Sequence, residues 1–82
     1  MNYAMVRVNS ATGESWLING SAWKPVPEAG KNPDRGEPGT YEVVVLYPKE
    51  ASEWYGYRWN VKTGQSWFLD GTKWTDVKVL TE

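Results

Sequence analysis

The chain contains no cysteine and no histidine. The first absence removes disulfides and thiolate metal sites. The second removes the commonest general base and the commonest metal ligand. There is no excess of either charge, because nine Lys/Arg face ten Asp/Glu for a formal net charge of −1. Nucleic-acid binding through the phosphate backbone is therefore disfavoured, as is polybasic attachment to a membrane. The longest apolar run, Val43-Val44-Val45-Leu46-Tyr47, is far too short to span a bilayer. The N-terminal Met1–Arg7 has neither the basic start nor the apolar stretch of a signal peptide. A cytoplasmic protein with no membrane contact and no cofactor is expected.

Aromatic bulk stands in place of these staples: six Trp, five Tyr and one Phe. A chain of 82 residues is one domain, and at this size it buries only about 60–65% of the surface its unfolded form exposes. Such a domain depends on dense packing or on a partner. The abundance of aromatic and β-branched residues argues for a folded chain.

An internal repeat organises the sequence. Residues 5–26 align with residues 56–77 at a constant offset of 51, without a gap. Nine of the 22 positions are identical: Arg7/Arg58, Asn9/Asn60, Thr12/Thr63, Gly13/Gly64, Ser15/Ser66, Trp16/Trp67, Gly20/Gly71, Trp23/Trp74 and Val26/Val77. Self-similarity at a fixed period is the mark of a duplicated unit. Each unit has a longer turn, Asn9–Gly13 or Asn60–Gly64, in which the Gly supplies a left-handed residue and the Asn side chain bonds forward. Each then has a two-residue hairpin signal, Asn19-Gly20 or Asp70-Gly71, expected as a type I′ turn. Strands are predicted near 4–9, 14–18 and 22–26, and near 54–60, 65–69 and 73–80.

Between the units, Pro27, Pro33 and Pro38 with Gly30, Gly36 and Gly39 mark residues 27–40 as an irregular or mobile loop. Residues 41–47 read as one extra strand, too continuously apolar to face water on both sides. Pro48–Glu53 reads as a connection with a helical turn. The expected fold is a single all-β domain over 1–82. It comprises two pseudo-repeated three-stranded antiparallel β-meanders (4–26 and 54–80) plus the extra strand, forming a small barrel or sandwich.

The turns set the strand register, and the register decides which side chains meet. Pairing Asn9 with Glu14 places Arg7 opposite Trp16, and pairing Ile18 with Ser21 places Trp16 opposite Trp23. One face of unit one then carries the row Arg7–Trp16–Trp23, and unit two carries Arg58–Trp67–Trp74. Cross-strand aromatic pairs and an Arg over an indole suit a buried structural row. The same row left open would be an aromatic platform. The opposite face holds Val6, Val8, Leu17 and Ala22 in unit one, but Tyr57, Trp59, Phe68 and Lys73 in unit two. That asymmetry marks Trp54, Tyr55, Tyr57, Arg58 and Trp59 as candidate binding residues, since Tyr, Trp and Arg are favoured interface anchors.

Catalysis is not expected. The Gly-x-Ser-Trp strings continue into strands, not into the helix of a nucleophile elbow. The carboxylates are scattered, whereas a glycosidase needs two across a sugar-sized cleft. The expected function is a non-catalytic domain that acts on a protein partner through an aromatic and Arg surface. By analogy with small cysteine-free proteins of phages and mobile elements, it is an accessory or inhibitory protein. A homodimer through the 41–47 strand belongs to the same reading. Alternatives are a carbohydrate-binding module that stacks sugars on exposed Trp, and a binder of single-stranded nucleic acid or of a small ligand.

Overall fold

A computed structural model describes residues 5–47 and 54–78. Seven strands follow in order: β1 Val6–Val8, β2 Ser15–Asn19, β3 Ala22–Pro25, β4 Tyr41–Leu46, β5 Tyr55–Asn60, β6 Ser66–Asp70 and β7 Lys73–Asp76. They form two antiparallel sheets, β1-β2-β3 and β4-β5-β6-β7. The fold is all-β, and the extra strand is the first strand of the second sheet. Among the described residues no helix is long and apolar enough to cross a membrane. The Pro48–Glu53 connection and the outermost ends of the first and last expected strands lie outside the described residues.

The longer turns form as their side-chain chemistry dictates. The Asn9 amide donates to Glu14 O at 2.8 Å, and the Gly13 amide donates back to Asn9 O at 2.8 Å. The Asn60 and Gly64 amides make the equivalent bonds to Gln65 O and Asn60 O, each 2.8 Å. Asn9 Oδ1 accepts from the Ala11 amide and Asn60 Oδ1 from the Lys62 amide. Thr12 and Thr63 hydroxyls accept from the amides two residues on, and the Ser15 and Ser66 hydroxyls donate to Gly13 O and Gly64 O. Four of the identical pairs are thus accounted for by one hydrogen-bond scheme.

The second turns differ from expectation. The closing pairs are Asn19↔Ala22 and Asp70↔Lys73, so Gly20-Ser21 and Gly71-Thr72 occupy the centres. A type I′ turn needs positive φ at both central residues. Here Gly20 and Gly71 have φ of 64° and 66°, and no described non-glycine residue has positive φ. One glycine per turn meets the type II′ requirement, which puts it first. The register therefore moves by two: Trp16 lies opposite Pro25 and Trp23 opposite Ile18, while Trp67 lies opposite Asp76 and Trp74 opposite Leu69. Because the shift is even, Trp16 and Trp23 stay on one face as diagonal neighbours, as do Trp67 and Trp74.

The 27–40 segment is irregular, and hydrogen bonds pin it at several points. The Gly36 amide donates to Ala11 O at 2.7 Å, the Gly39 amide to Ser10 Oγ at 3.0 Å, and the Tyr41 hydroxyl to Asp34 O. The sheets meet along two seams. At one, the Trp74 amide donates to Pro27 O and the Ala29 amide to Trp74 O, both 2.9 Å, forming a parallel bridge between Glu28 and Trp74. At the other, β1 runs beside β4 and the Tyr41 amide donates to Ser10 O at 2.9 Å. The core between them is small: Val26, Tyr41, Trp67 and Trp74, with Leu17, Val43 and Leu69 packed against it.

Two equivalent glycines separate backbone strain from packing. Gly13 and Gly64 have φ of 79° and 78°. A Cβ on Gly13 would meet Pro33 at 3.2 Å and Tyr41 at 3.3 Å, whereas one on Gly64 meets open space. Gly64→Ala should cost about 1–2 kcal/mol from the left-handed backbone alone. Gly13→Ala should cost about 1–3 kcal/mol more, from overpacking. Urea unfolding of the two variants measures the difference directly, and equal losses would contradict the packing term.

Candidate functional site

The Arg–Trp–Trp row of unit two is buried. Arg58 projects from β5 with no solvent exposure. Its Nη1 donates to Glu28 Oε2 at 2.9 Å and its Nη2 to Glu28 Oε1 at 2.6 Å. Nη1 also donates to Gly13 O at 2.7 Å. The guanidinium carbon lies 4.2 Å from the Trp67 ring centroid and 4.8 Å from that of Trp74. A bidentate carboxylate, a backbone carbonyl and two indole faces together offset the cost of removing the cation from water. Arg58 Nε and the Nε1 donors of Trp67 and Trp74 find no acceptor, which offsets part of that gain. Arg58 was a candidate binding residue; it belongs to the core, because only there does it reach Glu28.

The matching row of unit one is open. Arg7 is exposed and lies 5.1 Å from the Trp16 ring centroid. Trp16 is half-buried and Trp23 is 38% exposed. Of the two readings of the row, buried support or open platform, the Arg7, Trp16 and Trp23 of unit one take the open one. The two meanders bury opposite faces against the shared core. Unit one turns Leu17 inward, and unit two turns Trp67 and Trp74 inward. Two further identical pairs differ in the opposite sense. Val26 is 7% exposed and Val77 43%, and Ser15 is buried where Ser66 is half-buried.

Around the open row stand Met5, Ile18 and Pro25. The Ile18 amide donates to Met5 O, Ile18 pairs with Trp23, and Trp16 pairs with Pro25. Met5, Ile18 and Pro25 are all exposed. Beside Trp16 and Pro25 opens a cleft of about 430 Å³, whose walls include Pro27, Pro33, Glu14 and Arg35. Glu28 also lines it, with its carboxylate already held by Arg58. Among the described residues no three potential metal ligands converge.

The remaining candidates divide between two faces of the second sheet. Tyr55, Tyr57 and Trp59 project outward, where Tyr57 pairs with Val44 on one side and Phe68 on the other. Tyr55 and Tyr57 are exposed and Trp59 is half-buried. Trp54 lies on the inner side: a Cβ at Gly56 would stand 3.3 Å from its ring. The structure thus brings Tyr55, Tyr57 and Trp59 together and separates Trp54 and Arg58 from them. Met5, Ile18 and Pro25 escaped the sequence reading, because their place on the open face depends on the shifted register and on which row is buried.

The two arginines should respond differently to substitution. Arg58→Met strands the Glu28 carboxylate beside the core and should cost about 3–5 kcal/mol. Arg7→Met should cost less than about 1 kcal/mol, the range of exposed cation–π contacts. The paired change Arg58→Met with Glu28→Met should recover much of the loss, since replacing both members of a buried pair by apolar groups is often near neutral. Chemical denaturation of the four proteins tests this ordering.

Comparison with protein-family models, with curated proteins and with solved structures finds no match to this chain.

Proposed function

We propose that the chain is a non-catalytic binding domain that engages a protein partner through the open Arg7–Trp16–Trp23 face. The observation that carries this reading is the contrast inside one molecule. A row that unit two buries completely is laid open by unit one, with its Arg exposed and its Trp23 38% exposed. Exposed Trp and Arg on a rigid sheet are the residues in which binding energy concentrates. Met5, Ile18 and Pro25 extend the row into a continuous apolar surface. Arg35 is exposed nearby at the cleft. With Arg7 it favours a partner that brings carboxylates to an apolar contact. Occlusion of such a partner is the accessory or inhibitory action expected of a domain this small.

The cleft beside Trp16 favours a second reading, a carbohydrate site. There one indole is flanked by a carboxylate (Glu14), an amide (Asn32), a guanidinium (Arg35) and a hydroxyl (Thr12). An apolar wall with a few polar groups is the usual make-up of a small-ligand site. Nucleic-acid stacking has less support. Of the basic residues Arg7, Arg35, Arg58, Lys62 and Lys73, Arg58 is buried and paired, and Lys62 contacts Glu37 at 3.6 Å.

Affinity capture from the native host, with wild type as bait beside Arg7→Ala and Trp23→Ala, tests the protein reading. Each substitution should weaken capture by roughly 30-fold, the equivalent of a 2 kcal/mol hot spot, while leaving thermal melting close to wild type. Capture undiminished by both substitutions refutes the assignment of the face. Retention on oligosaccharide resin that Trp16→Ala abolishes and Arg7→Ala preserves would favour the cleft instead.

A further inference from the structure

The two short hairpin turns are copies of one another except in one functional group. In unit two the residue before the turn glycine is Asp70, and in unit one it is Asn19. The turns share their form, with closing pairs Asn19↔Ala22 and Asp70↔Lys73 and glycine φ of 64° and 66°. Asn19, Gly20 and Ser21 are exposed, and so is every residue of β3 that follows them.

We infer that Asn19 is a site of spontaneous covalent modification in the folded protein, at which the side-chain amide is lost as ammonia and unit one acquires an acidic turn residue. The Gly20 backbone nitrogen gives up its proton and attacks Asn19 Cγ. The new N–Cγ bond closes a cyclic imide as the bond from Cγ to Nδ2 breaks, and Nδ2 leaves as ammonia with the proton from Gly20. One water then opens the imide. Opening at Cγ gives aspartate. Opening at the backbone carbonyl gives isoaspartate, in which the main chain runs through the former side chain. Nothing is oxidised or reduced, and water is the single co-reactant.

The nucleophile is accessible. Gly20 has no side chain to crowd the attack, and even an added Cβ would meet nothing within 4 Å. Its amide, at the first central position of the turn, donates no hydrogen bond among the described residues. Ring closure requires Asn19 to leave its extended backbone. An exposed hairpin tip with few contacts is where such local opening costs least.

The leaving amide is equally free, and here Asn19 parts from the other described asparagines. Asn9 Oδ1 accepts from the Ala11 amide, and Asn60 Oδ1 accepts from the amides of Lys62 and Thr63. Both are followed by residues with side chains, Ser10 and Val61. Asn32 precedes Pro33, whose nitrogen carries no proton to give up. The Asn19 side chain makes no hydrogen bond among the described residues. Asparagine is a thermolabile residue in general, and in this fold the protection given to Asn9, Asn32 and Asn60 is missing at Asn19.

Unit two shows how the products differ. Asp70 occupies the equivalent position in an equivalent turn, so aspartate at 19 leaves the hairpin intact. Isoaspartate adds a carbon to the main chain between Ile18 and Gly20. The pairs Asn19↔Ala22 and Ile18↔Trp23 then no longer match atom for atom, and strand register is set by that match. Either product adds one negative charge to a chain of net charge −1. The isoaspartyl product also loosens the hairpin that carries Trp16 and Trp23. That last consequence matters for function if the open face is the binding surface; the modification itself does not depend on that reading.

The test is to hold the purified full chain in mildly alkaline buffer without denaturant, then map its peptides by mass spectrometry and count isoaspartate by enzymatic methylation. The peptide bearing Asn19 should gain the mass of an amide-to-acid conversion, with release of ammonia. It should do so at least roughly tenfold faster than Asn9, Asn32 or Asn60, a barrier difference of about 1.4 kcal/mol. Asn19→Gln should block the conversion. Asn19→Asp should release no ammonia from this site and should melt like wild type, whereas the isoaspartyl form, separated by ion exchange, should melt below it. Conversion of another asparagine ahead of Asn19 overturns the inference. So does an Asn19 that converts only once the chain is unfolded in urea. Mass and ammonia are read without any partner, so their failure is distinct from a failure of the open face to capture one.

Discussion

The Arg58–Glu28 ion pair is the interaction on which the rest of the molecule depends. A guanidinium with no exposure to water is costly unless its charge and its donors are met. Here the first half of the chain supplies the Glu28 carboxylate and the Gly13 carbonyl, and the second half supplies Arg58, Trp67 and Trp74. Parting the sheets therefore breaks the ion pair, the bond to Gly13 O and both cation–π contacts together. With a core of only four buried apolar side chains among the described residues, that cross-connection fixes the placement of one sheet on the other. It also explains why the 27–40 segment begins where it does. Its first residues run along Trp74 and carry Glu28 to the guanidinium.

The same interaction decides which aromatic row is buried. Glu28 follows unit one but neutralises the Arg of unit two. The position 51 residues after Glu28 is Val79, so the chain offers Arg7 no carboxylate at the equivalent place. Only one of the two rows can thus be buried with its charge met in this way. The other meander turns over: Leu17 packs against the core that holds Trp67 and Trp74, and Val6 and Val8 lie half-buried on the same strand face as Leu17. The bulkier Tyr57, Trp59 and Phe68 of unit two are left outside for the same reason. One charge constraint thus accounts for the opposite environments of Arg7 and Arg58, Trp23 and Trp74, and Val26 and Val77.

What the sequence reveals here follows the range of the interaction. All seven strands, the scheme of the longer turns and the two cross-strand faces are local, and they can be read from Asn9, Gly13 and the alternation of side chains. The second-turn register misleads by two residues because Asn-Gly and Asp-Gly are strong type I′ signals. With a single glycine per turn, Gly20-Ser21 and Gly71-Thr72 take the centre instead. The burial of one row and the exposure of the other are tertiary facts, set by Glu28 some thirty residues from Arg58. The contrast between Glu28 and Val79 is the one sequence signal that points to them. Arg58 looks like a binding residue by type and neighbourhood, and it takes a structure to place it on the inner side of β5, between outward Tyr57 and Trp59.

Each of the two sheets turns one face toward the shared core and the other toward water. Polar residues on both outer faces would suit an isolated monomer. This chain instead places Met5, Ile18 and Trp23 on one outer face, and Leu46, Tyr55, Tyr57 and Phe68 on the other. The small core and the apolar outer faces have a common origin, because side chains that would have enlarged a core are directed outward. Any partner that covers an outer face adds its binding free energy to the stability of the folded state, by RT ln(1 + [L]/Kd) for a simple ligand. The ion pair holds the sheets together across a core too small to do so by apolar burial alone.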